Sequence, residues 1–255
     1  MKLTKVKRNQ VAVISLVPSW TETLIEAGVD VIGRTRFCVH PQRRVKAIPV
    51  VGGTKDWNWD RIVELNPDLL VLDQEENPKC MSEQKEFPFL ATHVRSVGDV
   101  ASSLRLLGRS TGNARLSEIA SDWDRVLARP LPEPWVLGRE IPGLVEWGRK
   151  PSVPVTKVVY VIWREPWMAV SRETFIGSML ERCGFGELVS SYPEKYPKVS
   201  LESEGESTLV LFSSEPFPFL KKRDGIAELG FPYAFVDGEK FSWFGVRSLE
   251  FLRDR

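Results

Sequence analysis

What most restricts the fold of this chain is an alternation. Short runs of aliphatic, often β-branched residues break off into loops, helical patterns follow, and the whole layout occurs twice. Residues 11–16, 31–34, 69–72 and 89–94 form one set of such runs, and 158–162, 209–212 and 233–236 form another. Runs this short and this uniformly apolar read as strands buried on both faces, and strands alternating with helices imply parallel sheets. The expected fold class is therefore α/β, two Rossmann-like parallel-sheet lobes joined by one long backbone helix.

The punctuation between the runs agrees. Ser19 and Glu22 have the spacing of a capping box, and Gly28 is placed to end the helix they open. Asn58 caps a helix carrying Ile62, Val63 and Leu65, which Asn66 and Pro67 stop. Ser96 and Asp99 open another, with Val97, Val100, Leu104 and Leu107 on its apolar side. Leu116, Ile119, Trp123 and Val126 are spaced for one face of a helix over 113–127. Residues 129–154, rich in Pro and Gly, read as an irregular connection. A later helix carries Phe175, Ile176, Met179, Leu180 and Cys183 and ends at Gly184. The expected division is an N-terminal α/β lobe over 1–110, the backbone helix plus the irregular connection over 111–156, and a C-terminal α/β lobe over 157–255.

Open α/β sheets hold ligands beyond the carboxyl ends of their strands, so the residues there carry the functional argument. The run 158–162 ends in Trp163, Arg164, Glu165, Pro166 and Trp167, which sets two indoles, a guanidinium and a rigid proline at a strand end. Six of the nine tryptophans (Trp20, Trp57, Trp59, Trp163, Trp167, Trp243) fall just after strands or near the next helix start. Such side chains stack on planar ligands, although Trp59 reads as a residue that welds the fold. Arg36, Arg164 and Arg172 offer forks for carboxylates or phosphates.

Catalytic signals are poor. There is no GxSxG, P-loop or HExxH, and Gly52–Gly53 alone is weak evidence of a phosphate cradle. A two-lobed cytosolic enzyme, such as a tetrapyrrole-related chelatase or a glycosyl transferase, would need a titratable cluster; Glu75, Glu76, Glu215 and Asp237 with His40 are the candidates. No catalytic residue is assigned. Cys38 and His40 share a loop, but the chain has only two histidines and a closed metal site usually needs four ligands. Either is at most an axial ligand to a metal already held by a macrocycle, and His93 reads as structural. A net charge of +1 gives no reason to invoke nucleic acid or an anionic membrane. Cys38, Cys80 and Cys183 are too scattered for a disulfide framework. No apolar run is long enough for a transmembrane segment, and the basic start MKLTKVKRNQ leads into no signal-peptide core. The expected location is cytoplasmic as written, or periplasmic for a mature or trimmed form.

VPSWTETL at 17–24, VGGTKDWNWDRIVELNPDLLVL at 51–72, the two lobes and the single linking helix resemble the helical-backbone (class III) substrate-binding proteins of ABC importers. IWREPW at 162–167, SSEPFPF at 213–219 and DGEKFSWFG at 237–245 place the likeness nearest the cobalamin-binding-like branch. It spans nearly everything except 129–154. The resemblance implies a binding protein without catalysis, with a small molecule held in a cleft between the lobes by aromatic and polar loop residues. The ligand-binding candidates are then Ser19, Trp20, Arg36, His40, Gly53, Trp57, Glu75, Trp163, Arg164, Trp167, Glu215, Phe217, Asp237 and Trp243. The implied ligand is a corrinoid, haem or other metal chelate, with no cofactor required, and binding is expected to depend more on Trp163, Arg164 and Trp167 than on Cys38 or His40. The implied partner is an ABC permease. Family members present acidic residues to it, however, where Lys79 and Lys221–Lys222 stand here. The histidine cluster of the zinc and manganese branch is also absent. A sensor or scaffold that kept the fold and lost the ligand is the remaining alternative.

Overall fold

The structure, a computed structural model, describes residues 10–255; the basic stretch 1–9 lies outside the described residues. The chain divides into two units, one running through Ala128 and completed by Trp243–Arg255, the other Arg129–Ser242.

The first unit alternates as its sequence implies. Its elements are β1 (Ala12–Ser15), α1 (Pro18–Glu26), β2 (Asp30–Arg34), α2 (Gln42–Val45), α3 (Trp59–Leu65), β3 (Leu69–Asp73), β4 (Phe89–Thr92), α4 (Val100–Thr111) and α5 (Ala114–Leu127). The sheet has the order β2-β1-β3-β4 with every pairing parallel. One core cluster joins Ile14, Leu16, Leu70 and Leu72 to Ile62, Met81 and Phe87. Burying each such side chain contributes about 1.5–3 kcal/mol. Asn58 caps α3 by accepting from the Arg61 amide at 3.1 Å. Asn113 caps α5 and also donates to the Ala27 carbonyl at 3.0 Å. Ser96 and Asp99 form a complete capping box ahead of α4.

In the second unit, β5 (Leu144–Arg149), β6 (Lys157–Trp163), β7 (Met168–Ala169), α6 (Phe175–Arg182), β8 (Thr208–Ser213), β9 (Tyr233–Val236) and α7 (Gly238–Ser242) follow. The sheet order is β5-β9-β8-β6-β7. Its centre, β6-β8-β9, is parallel, whereas β5 and β7 run antiparallel along the two edges. Phe212, Phe219, Phe231 and Phe235 dominate its core. The chain then returns to the first unit with α8 (Val246–Arg253). There the Trp123 indole donates to the Gly245 carbonyl at 3.0 Å, and Asp122 is held by both Arg125 and Arg253.

Three expectations need correction. Helix α1 starts one residue before Ser19: Val17 is its N-cap with no side-chain bond, and Pro18 supplies the preset φ of a first helical position. Glu22 takes no part in a capping box and instead pairs with Arg247 of α8, at 2.5 and 2.9 Å. Residues 129–154 are not wholly irregular, because they contain β5. Trp135 also pins the connection, its amide bonded to the Gly184 carbonyl at 2.8 Å and its ring on Phe185. Finally, residues 243–255 and the helix expected over 113–127 are both packed within the first unit.

Candidate functional site

Each unit presents its own set of loops at the carboxyl ends of its parallel strands. In the first unit these loops are tied together from beneath. Asn77, buried beyond β3, accepts from the Asp73 amide and donates to the carbonyls of Leu16 and Thr54, at 2.9, 3.1 and 2.8 Å. It thereby joins the loop after β1, the Gly52–Gly53 loop and β3. Asp73 is fully buried, and burial pushes its carboxyl above the ordinary carboxylate value. Its oxygens accept from Thr92 Oγ1, the Glu75 amide and the Val94 amide at 2.7, 2.9 and 3.2 Å.

Above this base the candidates separate. Trp20 lies in the core, its indole donating to Thr92 Oγ1 at 2.8 Å and its ring edge-on to Phe244. Ser19, in the first turn of α1, is buried as well. Arg36 is exposed, and one of its nitrogens reaches both oxygens of Asp56 at 2.7 Å. Gly53 is what lets that pair cross: a Cβ there would sit 2.3 Å from the Asp56 carboxylate and 2.8 Å from the Arg36 guanidinium. The Gly53 amide is bonded to the Asp56 carbonyl, so it is not part of a phosphate cradle. Trp57 leans on Trp59 with centroids 4.9 Å apart, and both pack on the core. Glu75 and His93, exposed at the ends of β3 and β4, pair at 2.7 Å. His40 lies edge-on to Trp243, which is buried and covered by the Arg247 guanidinium.

Cys38 is fully buried, with its sulfur 3.1 Å from the hydroxyls of Thr21 and Thr35. Burial raises its thiol pKa, so an axial-ligand role for it gains nothing from this geometry. Its neighbours Phe37 and Val39 are 49% and 46% exposed. Their exposure leaves no mark in the sequence, because Phe37, Cys38 and Val39 form an unbroken apolar run in a loop beyond β2. Among the described residues no three His, Cys, Asp or Glu side chains form a metal-binding group.

The second unit brings more of the candidates together. Trp163 is 41% exposed at the end of β6 and meets Phe217 edge-on at 5.6 Å. Arg164 lies over the half-buried Trp167, which itself stacks on Phe219 as part of the core. Glu215 accepts from Ser242, and Asp237 lies 3.7 Å from Lys240. Below them the buried Tyr160 hydroxyl donates to Ser213 Oγ at 3.2 Å, and burial drives its pKa far up. Lys222 Nζ, not among the expected site residues, stands 5.3 Å from the Phe217 ring.

Against this geometry, residues 13–129 match the Periplasmic binding protein family. A vitamin B12-binding protein of Pectobacterium carotovorum is 25% identical over 196 residues, which is 74% of this chain and 66% of the relative. The chain thus spans just under two thirds of the length of that relative. Two solved structures share the fold. The periplasmic vitamin B12 binding protein BtuF of Vibrio cholerae has a TM-score of 0.68 at 14% identity, covering 96% of this chain and 94% of its own. The periplasmic heme binding protein HutB of Vibrio cholerae has a TM-score of 0.69 at 14% identity, covering 96% of each. The chain has the fold of these periplasmic binding proteins, and its match to the family lies in residues 13–129. The likeness runs to proteins named for vitamin B12 and for haem. Among the described residues no helix is long and apolar enough to cross a membrane.

Proposed function

We propose that this chain binds a tetrapyrrole-like molecule, a corrinoid or haem, reversibly and without chemistry, for delivery to an ABC permease. The observation that carries the reading is the exposed Trp163 ring, which meets the half-buried Phe217 edge-on beyond the carboxyl ends of β6 and β8. An exposed indole at a strand end has no folding role that its burial would explain, whereas a flat ligand can cover it. Relatives named for vitamin B12 and haem support the same class of ligand. The loop carboxylates support binding over catalysis: Glu75 is engaged by His93, Glu215 by Ser242 and Asp237 by Lys240.

The test is a titration of cyanocobalamin and of haem, each followed by tryptophan fluorescence and calorimetry. Saturable one-to-one binding of at least one is expected. Trp163→Ala should weaken it about three- to tenfold, the worth of one stacked aromatic pair. Cys38→Ser, buried under two threonines, should leave it unchanged. Failure of both probes to bind would overturn the reading.

A further inference from the structure

Within the second unit, two cations close to Trp163 and Phe217 differ in what they are free to do. Arg164 is committed. Its Nη1 donates to the carbonyls of Lys222 and Asp224 at 3.4 and 3.0 Å, and its guanidinium lies 5.4 Å from the Trp167 ring. The turn it grips is closed by the Lys222 amide, which reaches the carbonyls of Pro218 and Phe219 at 3.1 Å each. That turn carries the Lys222 ammonium to within 5.3 Å of the Phe217 ring, and Phe217 is the edge-on partner of exposed Trp163. Among the described residues no carboxylate pairs with Lys222. By contrast Arg223, the next residue, is held by both oxygens of Glu146 at 2.7 and 3.2 Å.

We infer that Lys222 is the residue by which this unit reads the charge of its ligand, and that Arg164 is the positioning residue that holds Lys222 beside the rings. The ligand class follows: a planar macrocycle with a carboxylate on its rim, which lies on Trp163 and Phe217 and turns the carboxylate toward the ammonium. The inference rests on the proposed function and deepens it, since a molecule with only amides on its rim gives Lys222 nothing to pair with. Arg164, whose charge first suggests a direct anion contact, acts through the turn.

The experiment compares a metal-free dicarboxylate porphyrin with its uncharged bis-amide on the full chain. The wild type should prefer the dicarboxylate by about fivefold, the worth of a well-placed but solvent-accessible ion pair. Lys222→Gln should abolish the preference while leaving bis-amide binding in place, and Lys222→Arg should restore it. Arg164→Gln should reduce the preference in the wild type and have no further effect on it in the Lys222→Gln background. A purely structural role for Arg164 would instead weaken both porphyrins alike. A preference that survives Lys222→Gln, or that Arg164→Gln removes independently of Lys222, overturns the inference. If both porphyrins bind equally, or neither binds while cyanocobalamin does, the inference falls and the proposed function stands. If none of these probes nor haem binds, the proposed function falls and the inference with it.

Discussion

Replacing Asp73 by asparagine tests the buried base on which the first unit's loops stand. The carboxylate accepts three hydrogen bonds, from Thr92 Oγ1, the Glu75 amide and the Val94 amide. An asparagine carries one acceptor oxygen. If that oxygen takes the position facing Thr92 and Val94, the amide group faces the Glu75 N–H and that bond is lost. In the opposite orientation Thr92 can turn its own hydroxyl to the Leu72 carbonyl, 3.2 Å away, but the Val94 N–H is stranded in the interior. The first arrangement is the cheaper because the Glu75 amide is only part-buried, and losing its acceptor costs about 1 kcal/mol, the low end for an unmade bond. For a chain of this size that corresponds to a fall in Tm of roughly 2–4 °C.

The sign of the pH dependence sharpens the test. Burial raises the Asp73 pKa above its ordinary 3.8, so the folded state takes up this proton before the unfolded state does. The associated stability is fully present below the unfolded pKa and is lost as pH rises through the folded pKa. The asparagine of the variant does not titrate. The gap between wild type and Asp73→Asn should therefore widen as the pH is lowered from 7 toward 4, with other acidic groups cancelling in the difference. Urea melts of both proteins at matched pH values measure it. A gap that stays constant or narrows on acidification would refute the burial argument, and equal stability at pH 7 would refute the hydrogen-bond count.

Gly148→Ala should destabilise the second unit by about 1–3 kcal/mol by overpacking, because an added Cβ would lie 1.9 Å from the Tyr233 ring; urea denaturation measures the loss. Of the three thiols, Cys80 is exposed while Cys38 and Cys183 are buried, so a thiol reagent should label one site quickly in the native protein and all three after unfolding. Arg247→Ala leaves the nearly buried Glu22 carboxylate without its two-pronged partner and should cost about 1.5–3 kcal/mol, read in the same denaturant assay.

How far the sequence is legible depends on the distance over which each feature is decided. The central strands are local: 69–72 and 158–162 are apolar on both faces, which only a covered parallel strand explains, and they become β3 and β6. The caps at Asn58 and Asn113 are local too, each needing only an amide three residues on. Strand β5 fails this test. Its sequence LVEWGR has no clean alternation, and it is a strand because β9, some ninety residues later, offers it an edge. The Ser19–Glu22 spacing misleads for a related reason: Pro18 starts the helix early, and the true partner of Glu22 is Arg247.

The site is harder to read than the fold because it is defined by what is left over after such distant pairings are made. Position after a strand identifies Trp20, Trp57, Trp163, Trp167 and Trp243 equally, yet these five residues do different things. Trp20 spends its N–H on Thr92, seventy-two positions away, and vanishes into the core. Trp243 is covered by Arg247, and Trp167 is drawn onto Phe219. Only Trp163 stays substantially open, because its neighbour across the loops, Phe217, meets it edge-on and leaves a face uncovered. The same subtraction applies to charge. Arg36 and Arg164 carry the most suggestive positions in the sequence, but Asp56 neutralises the first and backbone carbonyls occupy the second. Lys222, in a stretch of ordinary lysines and arginines, acquires its place beside the rings only from the turn that Arg164 holds. A residue's type and its place after a strand mark a candidate, and whether its polar atoms are already satisfied decides which candidates remain able to meet a ligand.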